Sequence, residues 1–453
     1  MDYDLIVIGA GPGGYEAAFE AADLGMKTAL VEKKEPGGTC LNRGCIPTKA
    51  LLYAAELYRS MKSADTFGVF AEGIRYDLRK MQERKRDVVL QLRKGIGDTA
   101  KRKKVDMIHG TATVCGEGRV QISTEEGERN LTAGRILIAT GSRPVKPPIE
   151  GIDLPGVVTS DELLDNEEMI SSLVIIGGGV IGVEFAALYE ALGVKVTVIE
   201  AMPQLLPNLD RELAQSLKML MKKHGITVCT GARVEVIRQH ESGRLICEYT
   251  ADKPETAEAD AVLVCVGRRP YTEGLFAEGI RPETDRGCLK VNERYETSLP
   301  GVFAIGDVTG GIMLAHAAAA EGRNAVRHMA GQPEAEDMRW IPSCIYTAPE
   351  IACVGMSADE AKAAGIDADS RKIPMGANGR TVITGGERGY IRIVFEKKTE
   401  KLLGAQMMCE RATDMISEFT QALSAGLTVQ ELARVIRPHP TFSEAITEAV
   451  RVM

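Results

Sequence analysis

The chain has 453 residues, 44% of them apolar and 26% charged, a balance that excludes a disordered chain and, at this length, a single core, so about two to four domains are expected. With 55 basic and 63 acidic side chains the formal net charge is −8, which argues against nucleic acid as the main partner. The first apolar run, Leu5–Ile8, is short, follows no basic stretch and ends at Gly9, and no run of roughly 18 apolar residues occurs. A cytoplasmic protein with no membrane partner is therefore expected.

The first predicted element is a strand (YDLIVI), a Gly-rich turn (GAGPGG), a helix and a second strand ending at Glu32. Residues 172–200 repeat this order: SLVII, GGGVIG, a helix, then VTVIE ending at Glu200. Gly9 to Glu32 and Gly177 to Glu200 are both separated by 23 positions, so each unit reads as a βαβ dinucleotide site. In the first turn Gly9 permits the tight bend, Gly11 lets the backbone approach a pyrophosphate and Gly14 lets helix and strand pack; Gly177, Gly179 and Gly182 repeat the pattern. The helix N-terminus supplies free N–H groups for the phosphates, and Glu32 and Glu200 are candidate acceptors for ribose hydroxyls. A carboxylate at Glu200 suits a 2′-OH and repels a 2′-phosphate, which favours NAD over NADP at the second site. The alternative for one such turn, an ordinary strand–helix connection, is weakened by the repeat.

Between the repeats lies GGTCLNRGCIPTKALLYAAELY, which holds Cys40 and Cys45, the only two of ten cysteines in a compact motif. Pro47 suits the first turn of a helix, and a thiol at its N-terminus has its pKa lowered. Three readings stand: a redox disulfide, two structural thiols, or half a metal site, for which no second CxxC or His pair has ligand spacing. Residues 79–104 place Met81, Val88, Val89, Leu92 and Ile96 near helical spacing; their basic neighbours read as a solvated helix face, with a nucleic-acid patch as the rival. Strands are expected in LTAGRILIATGS, ADAVLVCVGRRP and GVFAIGD. From about residue 337 strand-like GYIRIVF precedes helical ATDMISEFTQALSAG, which predicts a mixed α+β terminal domain. Near the end, in RPHPTFSEA, His439 and Glu444 fit a base and its orienter, while Thr441 to Glu444 equally fits a helix capping box. The geometry of the His439–Pro440 bond is open at this level.

Together these strings resemble the pyridine nucleotide–disulfide oxidoreductases. GGTCLNRGCIPTKAL, ATGSRP, GGGVIGVEFA, VFAIGD, MLAHAAAAEG, IYTAPEIACVG and HPTFSEA carry the resemblance across nearly the whole chain. It implies two Rossmann-like dinucleotide-binding domains with a C-terminal α+β dimerisation domain: 1–143 for FAD, 144–267 for NAD, 268–336 completing the FAD site, and 337–453 at the interface of a homodimer. It implies a Cys40–Cys45 redox disulfide, with Cys40 exchanging with a dithiol substrate and Cys45 facing the flavin. Lys49 would lie near the reactive flavin edge, paired with Glu184, and Asp307 along the ribityl–pyrophosphate region. Ala112, Gly141 and Ala315 would contact FAD; Val234 and Gly267 would contact NAD. His439 and Glu444 would be catalytic and supplied by the partner subunit. No metal is implied. The implied activity is reoxidation of protein-bound dihydrolipoyl groups by NAD⁺, with the lipoylated carrier a separate protein of a multienzyme complex. Rival activities share this core: another NAD(P)H-dependent disulfide reductase, or a mainly structural subunit. Three departures stand out: Arg43 where valine is common, Tyr271 where asparagine is usual, and Arg437-Pro438 in place of a small or His-containing run.

Overall fold

The computed structural model describes residues 1–387 and 389–451. Its chain divides into two compact units, one of residues 1–148, 158–169 and 264–338, the other of 149–157, 170–263 and 339–453.

The first unit is built on a mixed sheet. Strand Tyr3–Ile8 lies between Thr28–Glu32 and Gly127–Ile138, parallel to both. The long strand Gly127–Ile138 serves two ladders. Its first half pairs antiparallel with Arg119–Thr124, its second half parallel with Tyr3–Ile8 and Val302–Ala304. Leu5, Ile6, Val7, Leu30 and Ile136 to Ile138 are fully buried, as expected for parallel strands covered on both faces. The segment GVFAIGD thus enters as the Val302–Ala304 strand, far in sequence but adjacent in the sheet.

Residues 79–104 form the helix Leu78–Lys103, started by Asp77, whose carboxylate accepts from the Lys80 N–H. Most of its basic residues are exposed, but Gln82 and Lys85 are buried. Gln82 donates to Asn166 O (2.8 Å), and Lys85 to Leu164 O (2.7 Å) and Asp165 (2.6 Å). With Arg86 on Glu167, one helix face clamps the segment 158–169. A buried ammonium requires such partners, so these are not surplus surface charges.

In the second unit the repeat forms a sheet in the order 227–230, 195–200, 172–176, 261–264, 157–158, its first three strands parallel, with a three-stranded antiparallel sheet from 233 to 259. Residues 339–451 add a five-stranded antiparallel sheet, ordered 343–345, 351–355, 402–408, 390–396, 368–374. Helices Ala412–Ser424 and Glu444–Val450 close its core, where Phe419, Ile446, Ala449, Ile391 and Met407 are fully buried. Ion pairs tie this part to the dinucleotide repeat: Arg392 to Asp210 (3.3 Å) and Glu212, and Lys223 to Glu387 (2.9 Å). Among the described residues no helix is long and apolar enough to cross a membrane.

Candidate active site and dinucleotide sites

The two glycine turns have matching geometry. Gly9 and Gly177 both take φ beyond +100°, which only glycine adopts readily. A Cβ on Gly14 would lie 1.8 Å from Gly9 O, so packing alone demands that glycine. Gly11 and Gly179 differ: a Cβ there would meet nothing closer than 3.8 Å. Their openness is what a ligand approaching the backbone requires. Both caps, Gly11 for the helix Pro12–Asp23 and Gly179 for Val180–Ala191, lack a side-chain hydrogen bond, leaving the N-terminal N–H groups for an anion.

The acidic strand ends match as well. Glu32 accepts from the N–H of Ala10 (2.8 Å) and of Lys34 (2.9 Å). Glu200 accepts from the N–H of Gly178 (2.5 Å) and of Met202 (2.7 Å). These bonds fix each carboxylate at the mouth of its glycine turn and use one lone pair per oxygen; the second remains for a ribose hydroxyl. No basic residue lies in the EAMPQLL segment that follows, where a 2′-phosphate would need one.

Further FAD-side candidates gather in the first unit. Ser142 donates to Asp307 (2.5 Å) and accepts from Arg268 Nε (2.7 Å), while Arg268 Nη2 donates to Ser142 O (2.8 Å). Glu321 accepts from the Gly306 N–H (2.6 Å), beside Asp307, and burial raises its pKa. Gly141 has φ +69° with open space around it. Ala315 begins an uncapped helix, and Ala112 is buried on the edge strand Thr111–Val114. Sequence analysis assigns no role to Arg268, Ser142 or Glu321: although Ser142 lies in ATGSRP, the contacts around Asp307 and its neighbour Gly306 are made only in the folded chain. Of the NAD-side candidates Val234 lies on the strand Arg233–Gln239 of the second unit. Gly267 belongs to the first unit, accepting from the Val145 N–H (3.0 Å).

The cysteines sit on consecutive helices, Cys40 within Gly38–Arg43 and Cys45 as first residue of Cys45–Lys62. Gly44 joins them. A Cβ there would press on Thr39 O at 3.0 Å and Cys40 Cα at 3.3 Å, so glycine permits the approach of the two thiols. The Cys40 thiol is hydrogen-bonded to Cys45; that bond, then burial, raises its pKa far above the usual thiol range, while Lys49 acts in the opposite sense. Cys45, as the first residue of its helix, occupies the position where the N-terminal N–H groups favour a thiolate. Asn42 holds this turn. Its Nδ2 donates to the carbonyls of Glu35 (3.3 Å), Pro36 (3.1 Å) and Gly38 (3.0 Å), and Arg93 donates back to its Oδ1 (2.8 Å). Among the described residues no three His, Cys, Asp or Glu side chains gather as a metal site.

Glu184 is 3% exposed and accepts from the Tyr346 N–H (3.0 Å). Its counterpart in the first repeat, Glu16, is instead ion-paired with Arg323 (2.9 Å). Equivalent positions in the repeat thus have different surroundings.

His439 Nδ1 lies 2.8 Å from Glu444 Oε1, and Glu444 Oε2 accepts from the Thr441 N–H (2.9 Å). Glu444 thus makes contacts of both kinds that HPTFSE allows, one oxygen to the imidazole and one to a backbone N–H. The glutamate makes its share of a capping box, but Thr441 Oγ1 turns to Pro438 O (2.8 Å) and the helix starts at Glu444 without a side-chain cap. The free oxygen of that carboxylate orients the imidazole. The Thr441 N–H and then His439 hold the Glu444 carboxyl below its usual range, so it is ionised at neutral pH. The His439–Pro440 peptide bond is cis.

Two glycine turns of dinucleotide-binding form and a paired Cys40 and Cys45 are the marks of a flavoprotein disulfide oxidoreductase, and the chain belongs to the pyridine nucleotide-disulphide oxidoreductase family: it matches that family over residues 3–322 and its dimerisation domain over 341–450. It works with FAD and NAD. A dihydrolipoyl dehydrogenase of Bacillus subtilis is 42% identical, over 99% of this chain and 97% of that protein, and one of Thermus scotoductus is 41% identical, over 100% and 97%. Among solved structures, the HOCl-induced flavoprotein disulfide reductase RclA of Escherichia coli superposes with TM-score 0.89 at 30% identity, covering 99% of both chains. LpdA of Mycobacterium tuberculosis does so with TM-score 0.91 at 28% identity, covering 98% of both.

Proposed function

We propose that this chain oxidises dihydrolipoyl groups with NAD⁺: dihydrolipoyl + NAD⁺ → lipoyl + NADH + H⁺. The observation that carries the reading is the His439–Glu444 pair, a base oriented through Nδ1 so that Nε2 is the nitrogen left for substrate, in a chain that also brings Cys40 against Cys45. His439 takes a proton from one substrate thiol. The resulting thiolate attacks Cys40 Sγ of the oxidised pair, and Cys45 leaves as thiolate at its helix N-terminus. The second substrate thiol then attacks the mixed disulfide, releasing lipoyl and the Cys40 thiol. Bound FAD supplies the two-electron transfer from the dithiol to NAD⁺. Glu32 and Glu200 hold the ribose hydroxyls, the Gly9–Gly14 and Gly177–Gly182 turns hold the pyrophosphates, and Asp307 and Lys49 serve the flavin.

In this reading residues 1–143 and 268–336 form the FAD site, 144–267 the NAD site, and 337–453 the interface of a homodimer working in the cytoplasm on a separate lipoylated carrier. Support comes from the full-length likeness to dihydrolipoyl dehydrogenases and the match to a dimerisation domain. The test compares NAD⁺ reduction by dihydrolipoamide, glutathione and reduced thioredoxin. Turnover with dihydrolipoamide alone is expected; preference for either of the others, or none at all, overturns the reading.

Nicotinamide choice gives a second expectation. Glu200 is 8% exposed, and a buried carboxylate facing a phosphate is strongly unfavourable. NAD⁺ is preferred over NADP⁺ in kcat/KM. Glu200→Gln, which keeps the shape and removes the charge, narrows that preference by about 10-fold or more, the worth of a hydrogen bond to a charged acceptor. Steady-state kinetics with both cofactors decides it: an unchanged ratio in the variant removes Glu200 from the ribose.

A further inference from the structure

Arg437 departs from the run usual before the terminal histidine, and its side chain is only 3% exposed. Nη2 is ion-paired with Glu418 on the helix Ala412–Ser424. Nη1 donates to Thr447 Oγ1 (3.0 Å) on the helix Glu444–Val450 and to Val435 O (3.4 Å). Thr447 lies three residues beyond Glu444 on the same helix. Farther along the loop, buried Asn378 donates through Nδ2 to Thr441 O (3.0 Å), while its Oδ1 caps the helix Gly379–Thr384. The loop 437–443 is thus tied at its start by Arg437, in its middle by Asn378, and at its end by Glu444.

The ring it carries is held by little else. The His439 side chain is 78% exposed, so packing within the chain does not fix it. Its position follows from the Glu444 hydrogen bond and from the path of the loop. A guanidinium fork is suited to this task, because its donors lie in one rigid plane and reach two helices at once.

We propose that Arg437, through Glu418 and Thr447, is a positioning residue that fixes the loop presenting His439, and so sets the rate of the proton-transfer step. The proposal rests on the assignment of His439 as base. Displacement of a catalytic group by about 1 Å costs up to ~10²-fold in rate, without removing any reacting atom.

The test uses the full-length, FAD-loaded protein and free dihydrolipoamide. Arg437→Met is expected to lower kcat for dithiol oxidation by ~10²-fold, with little change in KM for NAD⁺. FAD content, dimer size on gel filtration and NADH-driven dye reduction stay at wild-type levels, since none needs that proton transfer. Arg437→Lys, which keeps the charge on Glu418 but loses the fork, recovers part of the loss. Should Arg437→Met fail to fold, Glu418→Gln and Thr447→Val each remove one tether, and each lowers dithiol oxidation selectively. His439→Ala is the control. If it is inactive with dithiol while the tether variants run at wild-type rate, the anchoring role is wrong. Equal loss of dye reduction and dithiol oxidation means a general structural role and also overturns it. If His439→Ala retains full dithiol oxidation, the base assignment itself fails.

Discussion

Cys40→Ser and Cys45→Ser each lower NAD⁺ reduction by dihydrolipoamide by on the order of 10⁴-fold or more, as expected for removal of a covalent reaction centre. The two variants differ in spectrum. The hydrogen bond with Cys45 and burial raise the pKa of the Cys40 thiol, and Cys45 stands at a helix start, the position that favours a thiolate. A Cys45 thiolate facing FAD, as the family resemblance implies, would give a long-wavelength absorbance. Cys40→Ser therefore shows that band without added reductant, since Cys45 has lost its disulfide partner. Cys45→Ser lacks it in every redox state. The reverse pattern would exchange the roles of the two cysteines, and a wild-type rate in either variant would remove the pair from the reaction.

The second large effect concerns His439. His439→Ala loses dithiol oxidation by about 10²–10⁴-fold, the contribution of a positioned general base, while NADH-driven dye reduction survives. Glu444→Ala is expected to lose less, because in the proposed mechanism the carboxylate orients the ring and the proton passes to the imidazole. It also frees the Thr441 N–H, so part of its loss comes from a looser loop. The resemblance to the family implies that the base comes from the partner subunit, and mixing tests this. Heterodimers of Cys40→Ser and His439→Ala chains regain one working site, made of intact cysteines from one chain and intact histidine from the other. Verified heterodimers with no recovery would mean that each chain completes its own site. The orienting power of Glu444 also has an acid limit: its carboxyl is held below the usual range, so its hold on His439 persists through neutrality and is lost only as pH falls through that lowered value.

The sequence by itself determined the βαβ repeat, because a glycine turn and an acidic strand end are constraints of local backbone geometry, and their 23-position spacing recurs. It also marked Cys40, Cys45, His439 and Glu444, which lie in two short strings. What it left open was decided by contacts between distant residues. Whether Glu444 serves a capping box or meets a histidine depended on where two carboxylate oxygens point: one holds the Thr441 N–H ahead of the helix and the other the His439 ring. Glu16 and Glu184 occupy equivalent places in the repeat, yet Arg323 pairs with the first and the Tyr346 N–H meets the second. No pattern in either helix announces those partners, roughly 300 and 160 positions away respectively. Arg437 read only as a departure from a family pattern until burial and its two helix contacts gave it a task. Lys85, one of a run of basic residues that reads as a solvated face, turns inward because Leu164 O and Asp165 satisfy it there. Periodicity tells which face of an element is apolar, whereas the fate of a single polar group depends on a partner that only the folded chain brings within 3 Å or so.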